Sequence, residues 1–392
     1  MNIKSLLLGS AAALVAVSGA RAADAVVIAE PEPMEYVRIC DTYGVGFYYI
    51  PGTETCLKVS GYFRYDINAG RLGLLNVVDK EDGDDLNDTW DKKARFTLRV
   101  DSRAETELGT LRTYAAIEFN FDTDGTGTAN GDNYDGYSFQ SGTGIDLNQA
   151  YIELGGFRVG KTDSMFSTFT GFSSGVLSDG LVPYGPFDTH QIAYTFTGGN
   201  GFTAAVALEE GGGDWEFGPT NPGDDYALDT YVPHVVGGIG WTGGWGGVSA
   251  VAGYDAVWGE GAIKGRVDFN ASDAISLFVM GAWASVDEDL TGGFGDSPNF
   301  YAPWGGEWAV WVGGAWKFNE KATFNFEVGY DDFEDFSVAA NVDYELVTNF
   351  HIIPEISYLD QGDDTLDGLG ILEENARDEW GARLRFQANF GG

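Results

Sequence analysis

The sequence predicts an all-β chain, a 16-stranded antiparallel transmembrane barrel with short turns at one end and long loops at the other. Three observations predict it. Apolar and polar residues alternate over segments too long for an ordinary soluble strand, charged residues keep to one parity, and the connections alternate between short and long.

The alternation is plainest in LRTYAAIEFNF, where Leu111, Thr113, Ala115, Ile117, Phe119 and Phe121 hold one parity and Arg112, Tyr114, Ala116, Glu118 and Asn120 the other. Strands of soluble domains run about five or six residues, whereas a tilted strand crossing a bilayer needs roughly 9 to 11. Sixteen such segments lie near 57–67, 93–103, 109–121, 145–154, 156–162, 189–197, 201–209, 232–241, 246–255, 262–270, 273–285, 306–318, 321–331, 335–345, 348–359 and 376–390. Mean hydropathy is −0.14. That value suits a barrel as well as a soluble protein, because the two faces of each strand cancel. Fifty-seven glycines and 14% aromatic residues favour strands and turns over helices.

The charge pattern separates the faces. Phe63, Tyr65, Ile67, Phe96, Leu98, Val100, Val267, Phe269, Phe324, Phe326, Val328, Leu384 and Phe386 share a parity free of ions; Arg64, Asp66, Arg95, Arg99, Arg112, Glu118, Arg266, Asp268, Glu327, Asp343, Glu345, Arg383 and Arg385 share the other. A sandwich core would not accept so many ions. The charged face therefore borders water and the greasy face borders lipid, where a Lys or Arg would cost about 2 to 4 kcal/mol at mid-membrane. A closed barrel meets both demands while pairing every backbone donor.

The connections agree. TGGN, TGGWG, AS and NE are short, while DTDGTGTANGDNYDGYSFQSGTG is long and acidic, as expected of periplasmic turns and extracellular loops. Trp241, Trp283, Trp308, Trp316, Phe318, Tyr330, Phe336, Tyr358 and Trp380 hold the greasy parity near strand ends, where interfacial girdles belong. Pro354 removes a ladder donor on the greasy parity, and a bulge or bend is expected there.

Ahead of the strands, residues 1–22 carry a basic start at Lys4, an apolar run from Leu6 to Val17 and Ala20-Arg21-Ala22, the pattern of a cleaved secretory signal peptide. Residues 23–56 form an N-terminal segment and residues 57–392 the barrel. Cys40 and Cys56, the only cysteines, are expected to form one structural disulfide closing a hairpin in an oxidising compartment. The formal charge of −38 excludes nucleic-acid binding.

The stretch EYVRICDTYGVGFYYIPGTETCLKVSGYFRYD, Glu35 to Asp66, and the closing GARLRFQANF resemble the alphaproteobacterial outer-membrane porins over the whole mature chain. That resemblance implies a trimeric general-diffusion porin in the outer membrane of a Gram-negative bacterium. Its partners would be a homotrimer's other copies, outer-membrane lipid and lipopolysaccharide, the barrel-assembly machinery, and small hydrophilic solutes and ions. Such porins usually end on an aromatic residue, whereas Gly391 and Gly392 follow Phe390 here. The resemblance also implies that the loop after the fifth strand, about 163–188, folds inward as a pore constriction carrying Asp163, Asp179 and Asp188.

Parity places a basic pore wall on strands one, two, three and sixteen: Lys58, Arg64, Arg95, Arg99, Arg112, Arg383 and Arg385. Arg64, Arg95, Arg99 and Arg383 are expected near mid-height, with Arg112 and Arg385 lower. Each arginine either faces the loop carboxylates or neutralises lumenal acids such as Asp66 and Glu118. The acidic chain favours cation entry. Outward Ala94, Leu98, Ala115, Ile117, Ala150 and Ile152 suggest a smooth contact face between copies. No cofactor, metal or catalytic residue is expected: His190, His234 and His351 are isolated, and the Asp-Gly loop lacks EF-hand spacing. A substrate-specific channel is the nearest alternative, ahead of a barrel enzyme or an adhesin.

Overall fold

The computed structural model describes residues 38–70, 74–78, 86–126, 138–173, 175–211, 227–285, 299–362 and 378–391. Sixteen strands form the wall. They are β1 (Cys56–Gly70), β2 (Leu86–Thr106), β3 (Gly109–Thr126), β4 (Ser138–Leu154), β5 (Phe157–Thr162), β6 (Thr189–Thr197), β7 (Phe202–Gly211) and β8 (His234–Gly243), then β9 (Gly246–Tyr254), β10 (Gly261–Ser272), β11 (Ile275–Ala284), β12 (Trp308–Asn319), β13 (Ala322–Asp331), β14 (Phe336–Val347), β15 (Phe350–Asp360) and β16 (Asp378–Phe390). Each pairs antiparallel with its sequence neighbours. The ring closes where β16 pairs with β1, from Gly381 opposite Gly70 to Phe390 opposite Gly61. Closure leaves no unpaired edge inside lipid.

Two-residue turns sit at one end of the wall. Gly155 and Gly156 both have positive φ, 55° and 95°, which a tight hairpin turn following the strand twist requires. Long connections sit at the other end. Outward side chains are large and apolar, among them Phe63, Ile145, Val279 and Ile356. Trp308–Tyr330, Phe336–Tyr358 and Tyr358–Trp380 ring contacts lie towards the long-loop end, and Trp241–Trp245 and Trp316–Phe318 towards the short-turn end. These are two girdles.

Several details depart from the sequence reading. The strands β2, β3 and β4 reach beyond their expected ends, to Leu86, Thr126 and Ser138. There the sequence turns largely polar in LNDTWDK and DTDGT, so the alternation that marks a membrane crossing fades while pairing continues. Short strands Tyr48–Tyr49 and Leu74–Val78 flank β1 and β2. At Pro354 the β14–β15 ladder is interrupted rather than shifted: pairing skips Val342–Pro354 and Asp343–Ile353 between Asn341–Glu355 and Tyr344–Ile352 and resumes in the same register, while on the other side Pro354 pairs with Leu384. On the outer face of β2–β4, Phe96, Phe119 and Phe121 are exposed beside the aliphatic residues. The segments 1–22 and 23–37 lie outside the described residues.

Cys40 and Cys56 are bonded, with Cα atoms 6.0 Å apart. Cys40, Phe47 and Cys56 are buried together, and Lys58 and Arg103 set their cations over the Phe47 ring. The hairpin is thereby fixed against the short-turn end of β1 and β2.

Candidate functional site: the lumen and its inward loop

The inward face is not uniform. On β7–β12 it carries Ala207, Val236, Val251, Ala262, Phe278, Met280, Ala309 and Trp311, all at most 5% exposed. They are covered by the loop 163–188, which lies inside the barrel. Its one helix, α1 (Met165–Thr170), is capped by Ser164, whose Oγ accepts from Phe166 N. Phe166, Val182 and Tyr184 are buried against that wall.

Donors from the wall hold the loop by its carbonyls. Trp311 Nε1 donates to Val182 O at 2.8 Å, Arg266 Nη1 to Phe172 O at 2.7 Å, Asn341 Nδ2 to Gly175 O at 2.9 Å and Arg383 Nη1 to Leu177 O at 3.1 Å. Lys264, fully buried, donates to Tyr184 O at 2.5 Å with its ammonium 4.5 Å from the Phe166 ring. A buried ammonium is tolerated only with such partners.

A second loop joins the packing. Phe300, Tyr301 and Trp304, from the connection between β11 and β12, are buried beside Phe166. Glu209 of β7 ties both loops to the wall. It accepts from Ser164 Oγ, Met165 N, Gln191 Nε2 and Tyr301 OH at 2.7, 2.7, 2.7 and 3.2 Å. Asp255 accepts from Phe300 N at 2.8 Å, and His234 stacks on the Phe300 ring at 4.9 Å.

The wall of β1–β4 and β16 is polar. Arg95 pairs with Glu118 at 2.7 Å, Arg385 with Asp66 at 2.7 Å, and Arg112 with Asp101 and Glu153 at 2.9 and 2.8 Å. Arg383 has neutral partners, Asn68 Oδ1 and Leu177 O. Arg64 bonds Gln387 and lies 4.5 Å over the Tyr62 ring, while Arg99 stands 5.3 Å from the same ring. Among the described residues no carboxylate lies within 4.0 Å of Arg64, Arg99 or Arg383. Among the described residues, then, three of these arginines have carboxylate partners and three do not. Lys58 reaches Val45 O. The register places Arg64 opposite Arg95 and Arg112 opposite Arg103, nearer the short turns. Arg385, expected low, stands opposite Asp66, two residues nearer the long-loop end than Arg64. Strand direction alone misjudged it because β16 is paired high along β1.

The loop carboxylates are dispersed. Asp179 accepts from Tyr184 OH at 2.6 Å; burial pushes its carboxyl above the usual range, against that bond, and Glu355 raises it further while Arg383 opposes. Asp163 sits at the loop's start beside Gln149, also raised by burial. Asp188, at its end, pairs with Lys161, whose strand position faces outward. Only Asp179 lies towards the arginine wall.

Comparison with known proteins fixes the family. A family model described as the porin subfamily matches residues 24–382. The chain is 48% identical over 402 residues to Porin Omp2a of Brucella melitensis biotype 1, and 48% over 392 residues to Porin Omp2b of Brucella neotomae, each match covering 100% of both chains. The chain belongs to the porin family. It is an outer-membrane channel of the alphaproteobacterial type rather than an enzyme. Among solved structures this porin is similar in fold to an anion-selective porin from Comamonas acidovorans, with TM-score 0.51, 11% identity, and 86% and 100% of the two chains covered. A Rhodopseudomonas blastica porin triple mutant gives TM-score 0.50 at 14% identity, covering 85% and 100%.

Lys264, Glu209, Trp311 and Tyr301, which seat the inward loops of this porin, escaped the sequence reading. One signal was present for Lys264: it shares the inward parity of Arg266. A second signal was the run of inward glycines. A Cβ on Gly238 would meet Phe169 at 2.7 Å, and one on Gly253 would meet Tyr301 at 2.6 Å.

Proposed function

We propose that this porin is a water-filled diffusion channel for small hydrophilic solutes and ions with a net preference for cations, working as a homotrimer, its passage narrowed by the loop 163–188. The observation that carries this reading is the seating of that loop on the β7–β12 wall, which leaves the water path along the arginine wall. There Arg64, Arg99 and Arg383 supply positive charge with no carboxylate bonded to them among the described residues, and Asp179 lies within electrostatic reach of Arg383. Asp163 and Asp188 stand at the loop's feet and serve its anchoring instead. Chain-wide acidity of −38 raises the cation concentration at the mouths, an effect that salt weakens. Contact between copies is assigned to the β2–β6 side, where Lys92, Lys161 and His190 take outward positions that lipid would disfavour.

Reversal potentials across a salt gradient test the reading. Arg64→Ala with Arg99→Ala should move selectivity further towards cations, and Asp179→Asn should move it back. If both variants leave the reversal potential unchanged, these groups do not border the ion path. Shortening residues 168–180 should enlarge conductance, and an unchanged value would place the loop outside the passage.

A further inference from the structure

The disulfide hairpin 40–56 lies on the lumenal side of the short-turn mouth, because the wall side chains that hold it take the inward parity of their strands. Lys58 of β1 donates to Val45 O at 3.1 Å, and Arg103 of β2 stands 4.9 Å from the Phe47 ring and 5.6 Å from the Tyr43 ring. Glu105, two residues further along β2, accepts from Tyr43 OH at 2.6 Å and from Thr110 of β3 at 2.9 Å. A hairpin packed on the outer face would meet Val59, Ser102 and Leu111 instead.

Backbone pairing fixes the hairpin there. β16 ends at Phe390 opposite Gly61, and beyond that point the same edge of β1 is taken by Tyr48 and Tyr49, paired with Leu57 and Cys56. Gly391 closes the join: its φ is 70°, and a Cβ on it would lie 2.2 Å from Val59 O. Its carbonyl oxygen in turn lies 2.9 Å from where a Cβ on Gly46 would sit. The Cys40–Cys56 bond joins the two ends of the hairpin, and such a cross-link restricts how far the segment between them can stray. Across the mouth, a gap of about 510 Å³ is lined by Tyr43 on one side and by Arg158 of β5 and Thr195 and Thr197 of β6 on the other. Both threonines are exposed, so water fills the gap.

We propose that the hairpin 40–56 is a second narrowing of the passage, at the short-turn mouth, with Tyr43 as the side chain that borders the path of solutes. The channel then has two narrow places in series, the loop 163–188 within the barrel and the hairpin at its end. Pore diameter decides what passes, so a solute that clears the loop meets a second sieve. The hairpin CDTYGVGFYYIPGTETC carries Asp41 and Glu54 and no Lys or Arg, while its Phe47 ring lies against the cations of Lys58 and Arg103. Its charge therefore adds to the cation preference of this mouth. The inference rests on the channel reading, and the experiment separates the two.

Refolded full-length protein in a planar bilayer must first conduct in potassium chloride, which tests the channel alone. Resistances in series add, so opening one narrow place matters most when the other is already wide. Tyr43→Ala should raise single-channel conductance, and the fractional rise should be larger in a chain whose residues 168–180 are shortened. Should the shortened chain not refold, Thr195→Trp narrows the gap from an exposed lumenal position on the opposite wall. It should lower conductance, and lower it less when Tyr43 is replaced by alanine. If shortening the loop enlarges conductance while Tyr43→Ala changes it in neither background, the channel reading stands and the hairpin lies outside the path. Unchanged conductance in Thr195→Trp likewise overturns the second narrowing. An unaltered chain that does not conduct overturns the channel reading, and this inference with it.

Discussion

The two halves of the lumen are made of the same strands and are filled by opposite means. On β1–β4 and β16 the inward side chains are ions tied to one another in pairs, such as Arg95–Glu118 and Arg385–Asp66. On β7–β12 they are mostly small or apolar residues lying under two loops, and the buried ions among them, Lys264, Arg266 and Glu209, bond loop atoms. The outer faces of both halves obey one rule, set by lipid. The inner faces obey whatever occupies them: water demands charge or polarity, and a packed loop demands complementary shape.

The comparison breaks most sharply at Glu209. Replacing it with alanine leaves Ser164 Oγ, Met165 N, Gln191 Nε2 and Tyr301 OH without their acceptor in a buried site. At about 1 to 3 kcal/mol for each unpaired buried donor, a loss of roughly 2 to 6 kcal/mol follows if two are not rescued by water. Unfolding of the refolded barrel in denaturant measures it. Both loops are anchored by the same carboxylate, so the variant should also show larger and noisier single-channel currents. A stable variant with quiet currents would mean that the loops hold themselves.

Gly253→Leu sharpens the same point from the wall. The added side chain meets the Tyr301 ring, whose atoms lie 2.6 Å from where even a Cβ would sit. Overpacking costs about 1 to 3 kcal/mol, and here it should displace the 299–304 segment rather than the strand, whose backbone is paired on both sides. Tryptophan fluorescence of Trp304 should shift to the red as that residue gains water.

How much of this was legible follows from the same contrast. The sixteen strands, the closure and the outward face could be read because lipid imposes one period and one polarity on every crossing. The arginine wall could be read because Arg64, Arg95, Arg99 and Arg383 interrupt otherwise apolar segments. Which of them are neutralised could not, since Arg385 finds Asp66 only through the register of β16 on β1. The packed half was least legible. Phe278, Met280 and Trp311 take the inward parity, yet β11 and β12 are apolar on both parities, so alternation gives no signal there. Their partners Phe166 and Tyr301 lie in loops, where sequence carries no period at all.

The smallest expected effect belongs to the wet wall. Lys93 pairs with Asp122 at 2.8 Å, and both side chains are 33% exposed. An ion pair that water reaches contributes about 0.2 to 1 kcal/mol, so Lys93→Ala should barely move the unfolding midpoint. Its electrical effect should be larger than its structural one: the substitution removes a positive charge from the lumen near the long-loop end and releases the Asp122 carboxylate into the ion path. Reversal potentials should therefore shift towards cations at low salt, and the shift should shrink at about 1 M salt, where the screening length falls to about 3 Å. A destabilisation as large as that of Glu209→Ala, with no shift in selectivity, would show that this wall is packed like the other and that the division of the lumen into a wet half and a dry half is wrong.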